Sequence, residues 1–338
     1  MVKTQGFMDT QRRKVGIAIL SVISNTTLVV MKLFVGLLIG SVSIISEAIH
    51  SGVDLLAAII ALFSVKTSSI PADRKHPFGH GKIENISGTI EALLIFVAAI
   101  WIIIEAGKKL MHPEPMEAIG WGVGVMLVSA VVNIVVSKML FKVGLETDSI
   151  ALQADAWHLR TDVYTSIGVM VSLCLIWMGQ WIFPGRDFFW LDPVAAMGVG
   201  LLIIKAAYDL TAQSAKDLLD VHLPDVEVEW IRQCILDHNF VVRGFHDLRT
   251  RKAGHFRFVE FHLKVDPHMS VMDSHDITKV LKKKIRAQFP GTTVTIHIEP
   301  CDSDCVDKCI EGCLLPEQKR REMQDNGVAA ACIFRKTL

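Results

Sequence analysis

Two stretches of the sequence carry the same pattern of ionisable residues. Ser46-Glu47-Ala48-Ile49-His50-Ser51-Gly52-Val53-Asp54 and Ala154-Asp155-Ala156-Trp157-His158-Leu159-Arg160-Thr161-Asp162 both contain acid-Ala-x-His-x-x-x-Asp. In a helix, positions i and i+4 stand one above the other on one face. Each stretch therefore presents an imidazole and a carboxylate in the same direction. If the two helices face one another, His50, Asp54, His158 and Asp162 converge as two nitrogens and two oxygens. That is a tetrahedral set suited to a divalent cation of the zinc type. A single His-x-x-x-Asp is more often a hydrogen bond that packs helices, and it is the repetition that points to metal. Glu47 and Asp155, one turn before the histidines, are either supporting partners of the ligands or residues near a water-filled vestibule.

A second set lies in Pro71-Ala72-Asp73-Arg74-Lys75-His76-Pro77-Phe78-Gly79-His80-Gly81-Lys82, where Asp73, His76 and His80 offer one oxygen and two nitrogens within eight residues. The spacing is equally that of an interfacial turn whose histidines are merely solvated.

The elements that hold these residues are apolar. Charged residues number 32 in residues 1–215 although the chain has 35 basic and 35 acidic side chains in all. Six windows, at 15–38, 42–65, 84–106, 119–140, 152–178 and 190–212, are each long and apolar enough to cross a bilayer, which takes about 20 residues. Six such runs cannot share one water-soluble core, and the first is too long for a cleavable signal peptide. Both octets thus fall inside crossing helices, where an ionisable side chain is costly and marks function.

Six crossings put both termini on one side, and the basic residues of the short loops say which. One face has Lys3, Arg12, Arg13, Lys14, Lys66, Arg74, Lys75, Lys82, Lys138 and Lys142; the other has only Lys108, Lys109 and Arg186. The termini are expected in the cytoplasm, with the protein in the plasma (inner) membrane. A net charge of zero gives no basic surplus for nucleic acid. Five of the seven cysteines follow residue 300, where a reducing cytoplasm keeps thiols free.

After residue 215 the pattern becomes that of a soluble domain. A helix is expected over 226–238, strands over 242–251 and 255–266, an amphipathic helix over 271–288 and a strand over 292–298. The order α-β-β-α-β gives a two-layer α/β domain. The division expected is a cytoplasmic segment 1–14, a six-helix bundle 15–214, an α/β domain 215–300 and a separate tail 301–338. In that tail Cys301, Cys305, Cys309 and Cys313 recur every four residues. On a helix their thiols would share one broad face, as a soft-metal site shared between chains, as two separate sites, or as a packing surface.

With the two octets, the His76-Pro77-Phe78-Gly79-His80-Gly81-Lys82 loop and His246-Asp247-Leu248-Arg249-Thr250-Arg251 opening the soluble domain, the chain resembles the cation diffusion facilitator family of divalent-metal transporters over about residues 10–300. The resemblance implies six helices, a metallochaperone-like cytoplasmic domain, a homodimer, and metal export in exchange for protons. It places the transport site on His50, Asp54, His158 and Asp162 and a loop site on Asp73, His76 and His80. It places cytoplasmic sites on His246, His262, His275 and His297, with Glu299 where the family often has Asp. His297 and Glu299 are i and i+2 on one strand and so share a face. Metal there is expected to bridge two protomers and raise activity. Lys82, ending the loop, and Asp220, entering the soluble domain, are expected to make a charge contact; an interfacial lysine near lipid headgroups is the alternative.

Two imidazoles favour zinc, cadmium, cobalt or nickel over manganese and magnesium, which prefer oxygen-rich octahedral sites. Zinc, as substrate and regulatory ligand, is the first expectation; transport of Cd2+, Co2+, Ni2+, Fe2+ or Mn2+ is the alternative, as is a membrane-anchored sensor that transports nothing. An imidazole nitrogen holds a proton or a metal but not both, which gives proton exchange a chemical basis. No His-Glu-x-x-His or nucleophile motif suggests an enzyme.

Overall fold

The computed structural model describes residues 2–39, 42–111, 122–182, 190–238, 242–302 and 307–324. The chain divides into two compact units, Met1–Leu219 and Asp220–Leu338.

The first unit contains six long helices: α1 (Val2–Ile39), α2 (Val42–Ser68), α3 (Lys82–Met111), α4 (Gly122–Glu146), α5 (Ile150–Ile182) and α6 (Leu191–Leu218). They overlap the six apolar windows, but α1 takes in residues 2–14 of the segment expected to precede it, and α6 runs four residues past the expected boundary at 214. Among the described residues, α1, α2, α3, α4 and α6 each carry a stretch long and apolar enough to cross a bilayer. Helix α5 has 33 residues, about 50 Å at 1.5 Å per residue, but its first half carries Asp155, Arg160 and Asp162. Arg160 is accommodated by lying over the Phe141 ring, 4.1 Å from its centroid, and over Trp157 at 5.3 Å.

Helix α5 packs against α2, α3, α4 and α6. Its contact surfaces are small: Ala151, Ala154 and Ala156 are fully buried, as are Ala57, Ala58 and Ala61 of α2 and Ala92 and Ala99 of α3. Small side chains let backbones approach where no hydrophobic force separates helix from lipid.

One buried ion pair ties three helices together. Lys14 Nζ of α1 donates to Glu84 Oε1 of α3 at 2.8 Å, and Ser68 Oγ at the end of α2 donates to the same oxygen at 2.8 Å. Both charged side chains are about 1% exposed or less. Removing one member of such a pair costs about 3–5 kcal/mol. Glu84→Ala is expected to lower the unfolding temperature in detergent markedly, and Lys14→Met added to it to restore most of the loss.

The second unit builds α7 (Asp225–Leu236), β1 (Val242–Ala253), β2 (Phe256–Val265), α8 (Val271–Gln288), β3 (Thr293–Pro300) and the short α9 (Asp307–Glu311). The sheet order is β1-β2-β3, with β1 antiparallel and β3 parallel to β2. A tight turn suffices for the first pairing, whereas the second needs the α8 crossover. Val259, Phe261, Leu263 and Val265 alternate inward on β2 and meet Ile231, Ile235, Leu281 and Ile285 of the two helices. Strand alternation then sends His262 and Lys264 to the opposite face. This is the two-layer αββαβ domain expected.

Candidate metal sites

The two octets meet between α2 and α5, and they pair crosswise. His158 Nε2 lies 3.0 Å from Asp54 Oδ1, and His50 Nε2 lies 3.9 Å from Asp162 Oδ1. Each histidine thus faces the aspartate of the other helix. With His four residues before Asp in both, crosswise pairing requires the helices to run antiparallel, as a second and a fifth crossing do. Ligand atoms of His50, Asp54 and Asp162 all lie within 4.8 Å of one another, and His158 joins the set through Asp54. Asp54 and His158 are buried, whereas His50 is 59% exposed at the open edge. Asp155, expected as a supporting partner or a vestibule residue, is fully buried beside this site. The Glu47 side chain lies outside the described residues.

The loop set also converges. Asp73 Oδ1 accepts the backbone N–H groups of Lys75 (2.8 Å) and His76 (2.6 Å). These bonds, the one from His76 above all, hold the Asp73 carboxyl below its ordinary range. His76 Nδ1 stands 3.5 Å from Asp73 Oδ1 and His80 Nε2 3.6 Å from Oδ2. His80 Nδ1 lies 3.3 Å from the Ile70 carbonyl; donation there leaves the Nε2 lone pair facing Asp73, the tautomer a cation needs. Gly79 turns the chain at φ +85°, a conformation that costs other residues strain.

In the soluble unit three histidines form a row across the sheet. His246 pairs with His262 in the β1–β2 register, and His262 with His297 in the β2–β3 register. Their ring centroids are 5.0 and 4.8 Å apart, the spacing of neighbouring strands. Glu299 reaches into the row from β3: Oε2 is 3.0 Å from His246 Nε2 and Oε1 is 2.7 Å from His262 Nδ1. Partial burial would raise the Glu299 carboxyl, but bonds from Lys264, His246 and His262 outweigh it and hold the group at about 2. The Glu299 arm thus spans both imidazoles. Ligand atoms of His246, His262 and Glu299 lie within 4.8 Å of one another. His297 stands at the edge, 3.7 Å from Glu299. His275 sits on the exposed side of α8, opposite the buried Ser274, Thr278 and Leu281, and outside this cluster.

Residues 18–219 match the cation efflux transmembrane domain, and residues 223–301 the cytoplasmic domain of cation efflux proteins. The chain belongs to the cation diffusion facilitator family. It is 35% identical over 285 residues to an uncharacterized transporter of Synechocystis sp., covering 84% of this chain and 90% of that protein. It is 33% identical over 274 residues to the cation-efflux pump FieF of Yersinia pestis, covering 81% and 88%. Among solved structures, the metal-bound C-terminal domain of the CzcD transporter from Thermotoga maritima is 30% identical, covering 23% of this chain and 94% of that one, with a TM-score of 0.21. As a cation diffusion facilitator the chain is a multi-pass cation-efflux transporter and not an enzyme.

Two expectations for this transporter change with the structure. Among the described residues, the tail does not put its cysteines on one helix face. Cys301 closes β3, its N–H bonded to the Val265 carbonyl at 2.9 Å; Cys309 lies in α9 and Cys313 just after it; Cys305 lies outside the described residues. Nor does the described tail stand apart, because Gly244 of β1 bridges to Cys313. Within its own unit, Lys82 Nζ donates to the Leu218 carbonyl at 3.3 Å, and Asp220 accepts from Arg251 at 3.4 Å.

Asp247 joins the cluster through its backbone conformation rather than through strand alternation. A β-bulge interrupts the register after His246, and Asp247 takes the left-handed conformation, φ +50°. Bulges re-aim side chains beside sites. Here Asp247 Oδ2 comes within 3.3 Å of His246 Nδ1, orienting the ring so that Nε2 faces Glu299. Asp247→Ala is expected to weaken zinc at the cytoplasmic cluster by roughly 10–100-fold, read as the loss of one zinc per chain in competition with a chelator. Asp247→Asn, which tolerates the same backbone, is expected to lose less.

Proposed function

We propose that this transporter exports zinc from the cytoplasm in exchange for protons, through His50, Asp54, His158 and Asp162. The observation that carries the reading is the crosswise pairing of two histidines and two aspartates inside the helical unit. Two carboxylates neutralise a divalent charge in a medium where net charge is costly, and two imidazoles bias the set toward zinc over manganese. The proton step follows from the same atoms. His158 Nε2 and Asp54 Oδ1 stand at hydrogen-bonding distance, 3.0 Å, so a proton shared by them occupies the position a cation takes and must leave when the cation binds. Metal and proton therefore compete for one position, which is the requirement for exchange.

In this reading both termini are cytoplasmic, the protein sits in the plasma (inner) membrane, and the chain works as a homodimer. Zinc at His246, His262 and Glu299, with His297 alongside, acts as a cytoplasmic regulatory ligand, and the Asp73–His76–His80 loop site samples zinc near the membrane. The test is zinc flux in proteoliposomes under an imposed proton gradient. Flux that requires the gradient and acidifies the zinc-donating side is expected. Silence with zinc, cadmium, cobalt and manganese alike would replace the transporter with a membrane-anchored sensor.

A further inference from the structure

Sulfur gathers at one place outside the histidine clusters. Cys301, Cys309 and Cys313 line a single recess on the soluble unit together with Met323, Arg243, Lys264 and Arg320. None of the three thiols is in a disulfide. Arg243 and Met323, 80 residues apart in the sequence, meet here, because the docking of the tail creates the recess. Phe245 N–H donates to the Gly312 carbonyl at 3.0 Å and Leu314 N–H to the Arg243 carbonyl at 2.9 Å, so the tail is laid along the edge of β1. Gly312 is required at the closest point: a Cβ there would run into the Phe245 carbonyl oxygen.

We infer that the docked tail is a second cytoplasmic cation site, in which Cys301, Cys309 and Cys313 bind a soft, thiophilic cation of the zinc or cadmium class. Three features select that occupant. The recess has room for about one water-sized particle, which admits an ion and excludes an organic ligand. Thiolate and thioether sulfur prefer soft cations to magnesium, calcium or manganese. The third is charge: on binding each cysteine releases its proton to solvent, and three thiolates around a divalent ion leave one negative charge beside Arg243, Lys264 and Arg320. The three sulfurs do not lie within 4.8 Å of one another, so an ion there requires them to close around it. Lys264 also stands 3.1 Å from Glu299 Oε2, so this site and the histidine row share one counter-charge.

Cadmium titrated into the full-length protein in detergent, under a non-chelating phosphine reductant, tests the assignment. Thiolate-to-cadmium charge-transfer absorption is silent at histidine–carboxylate sites and reads only sulfur. Wild type is expected to gain this band, saturating at one cadmium per chain. Cys309→Ser with Cys313→Ser is expected to lose it, while Cys305→Ser with Cys332→Ser keeps it. Gly312→Val, which leaves every thiol in place but undocks the tail, is expected to weaken binding by roughly ten-fold or more. No band in wild type, a full band in the Cys309/Cys313 variant, or unchanged binding in Gly312→Val would each overturn the assignment. The readout is independent of transport, so it stands or falls apart from the antiport reading.

Discussion

Replacing Asp54 and Asp162 together by alanine is expected to reduce gradient-driven zinc flux to the leak of protein-free vesicles. With neutral imidazoles and two carboxylates the loaded site carries no net charge. Without the carboxylates the same ion would bring two positive charges into a low-dielectric helical unit, and an uncompensated ion there costs far more than the few kcal/mol a binding site can spare. Losing even about 4 kcal/mol of stabilisation is roughly a thousand-fold in occupancy, since each 1.4 kcal/mol is tenfold. Asp54→Asn with Asp162→Asn separates charge from packing. The amide keeps the size of the side chain and a hydrogen bond to His158, so the bundle should remain folded, yet flux should still fall to the leak. Zinc transport persisting at more than a few per cent of wild type in the asparagine variant would move the site elsewhere.

The parts of this molecule that were legible in the sequence share one property: a local period. The i, i+4 spacing of His50 with Asp54 and of His158 with Asp162 put ligands on helix faces, and apolar length located α1 to α6, though α1 begins 13 residues before its window. The i, i+2 spacing of His297 and Glu299 put both on one face of a strand, and the two side chains stand 3.7 Å apart. What the spacing could not give was which residue meets which. Helical spacing puts His50 and Asp54 on one face, whereas the antiparallel approach of α2 and α5 hands Asp54 to His158 and Asp162 to His50. Pairings that arise only from tertiary contact were also hidden. Asp247 looked like one polar residue among several until the bulge turned it onto His246. A four-residue cysteine repeat looked helical, but Cys301 is held by a strand hydrogen bond to Val265, and the remaining described thiols reach it by docking. A buried Lys14 in an apolar helix gave no hint of Glu84, 70 residues away.

His50→Asp is expected to keep transport while changing what is transported and how many protons return. His50 stands at the open edge of the set, with Asp162 at 3.9 Å, so an aspartate there still completes four ligands. The set becomes one nitrogen and three oxygens. Oxygen-rich sets suit harder cations, and a difference of about 1.4 kcal/mol between metals moves their ratio tenfold. Manganese flux relative to zinc should therefore rise by about an order of magnitude in side-by-side proteoliposome assays. The proton side follows from the chemistry of the two groups. A free imidazole titrates near 6.5 and a free carboxyl near 4, and only the deprotonated form binds metal. Wild-type zinc flux should decline as the donating compartment is acidified; in His50→Asp that decline should shift to lower pH, with fewer protons returned per metal ion. If the variant keeps both the wild-type metal ratio and the wild-type proton count, His50 is neither a ligand nor a proton carrier, and the exchange must run through His158 and the two aspartates alone.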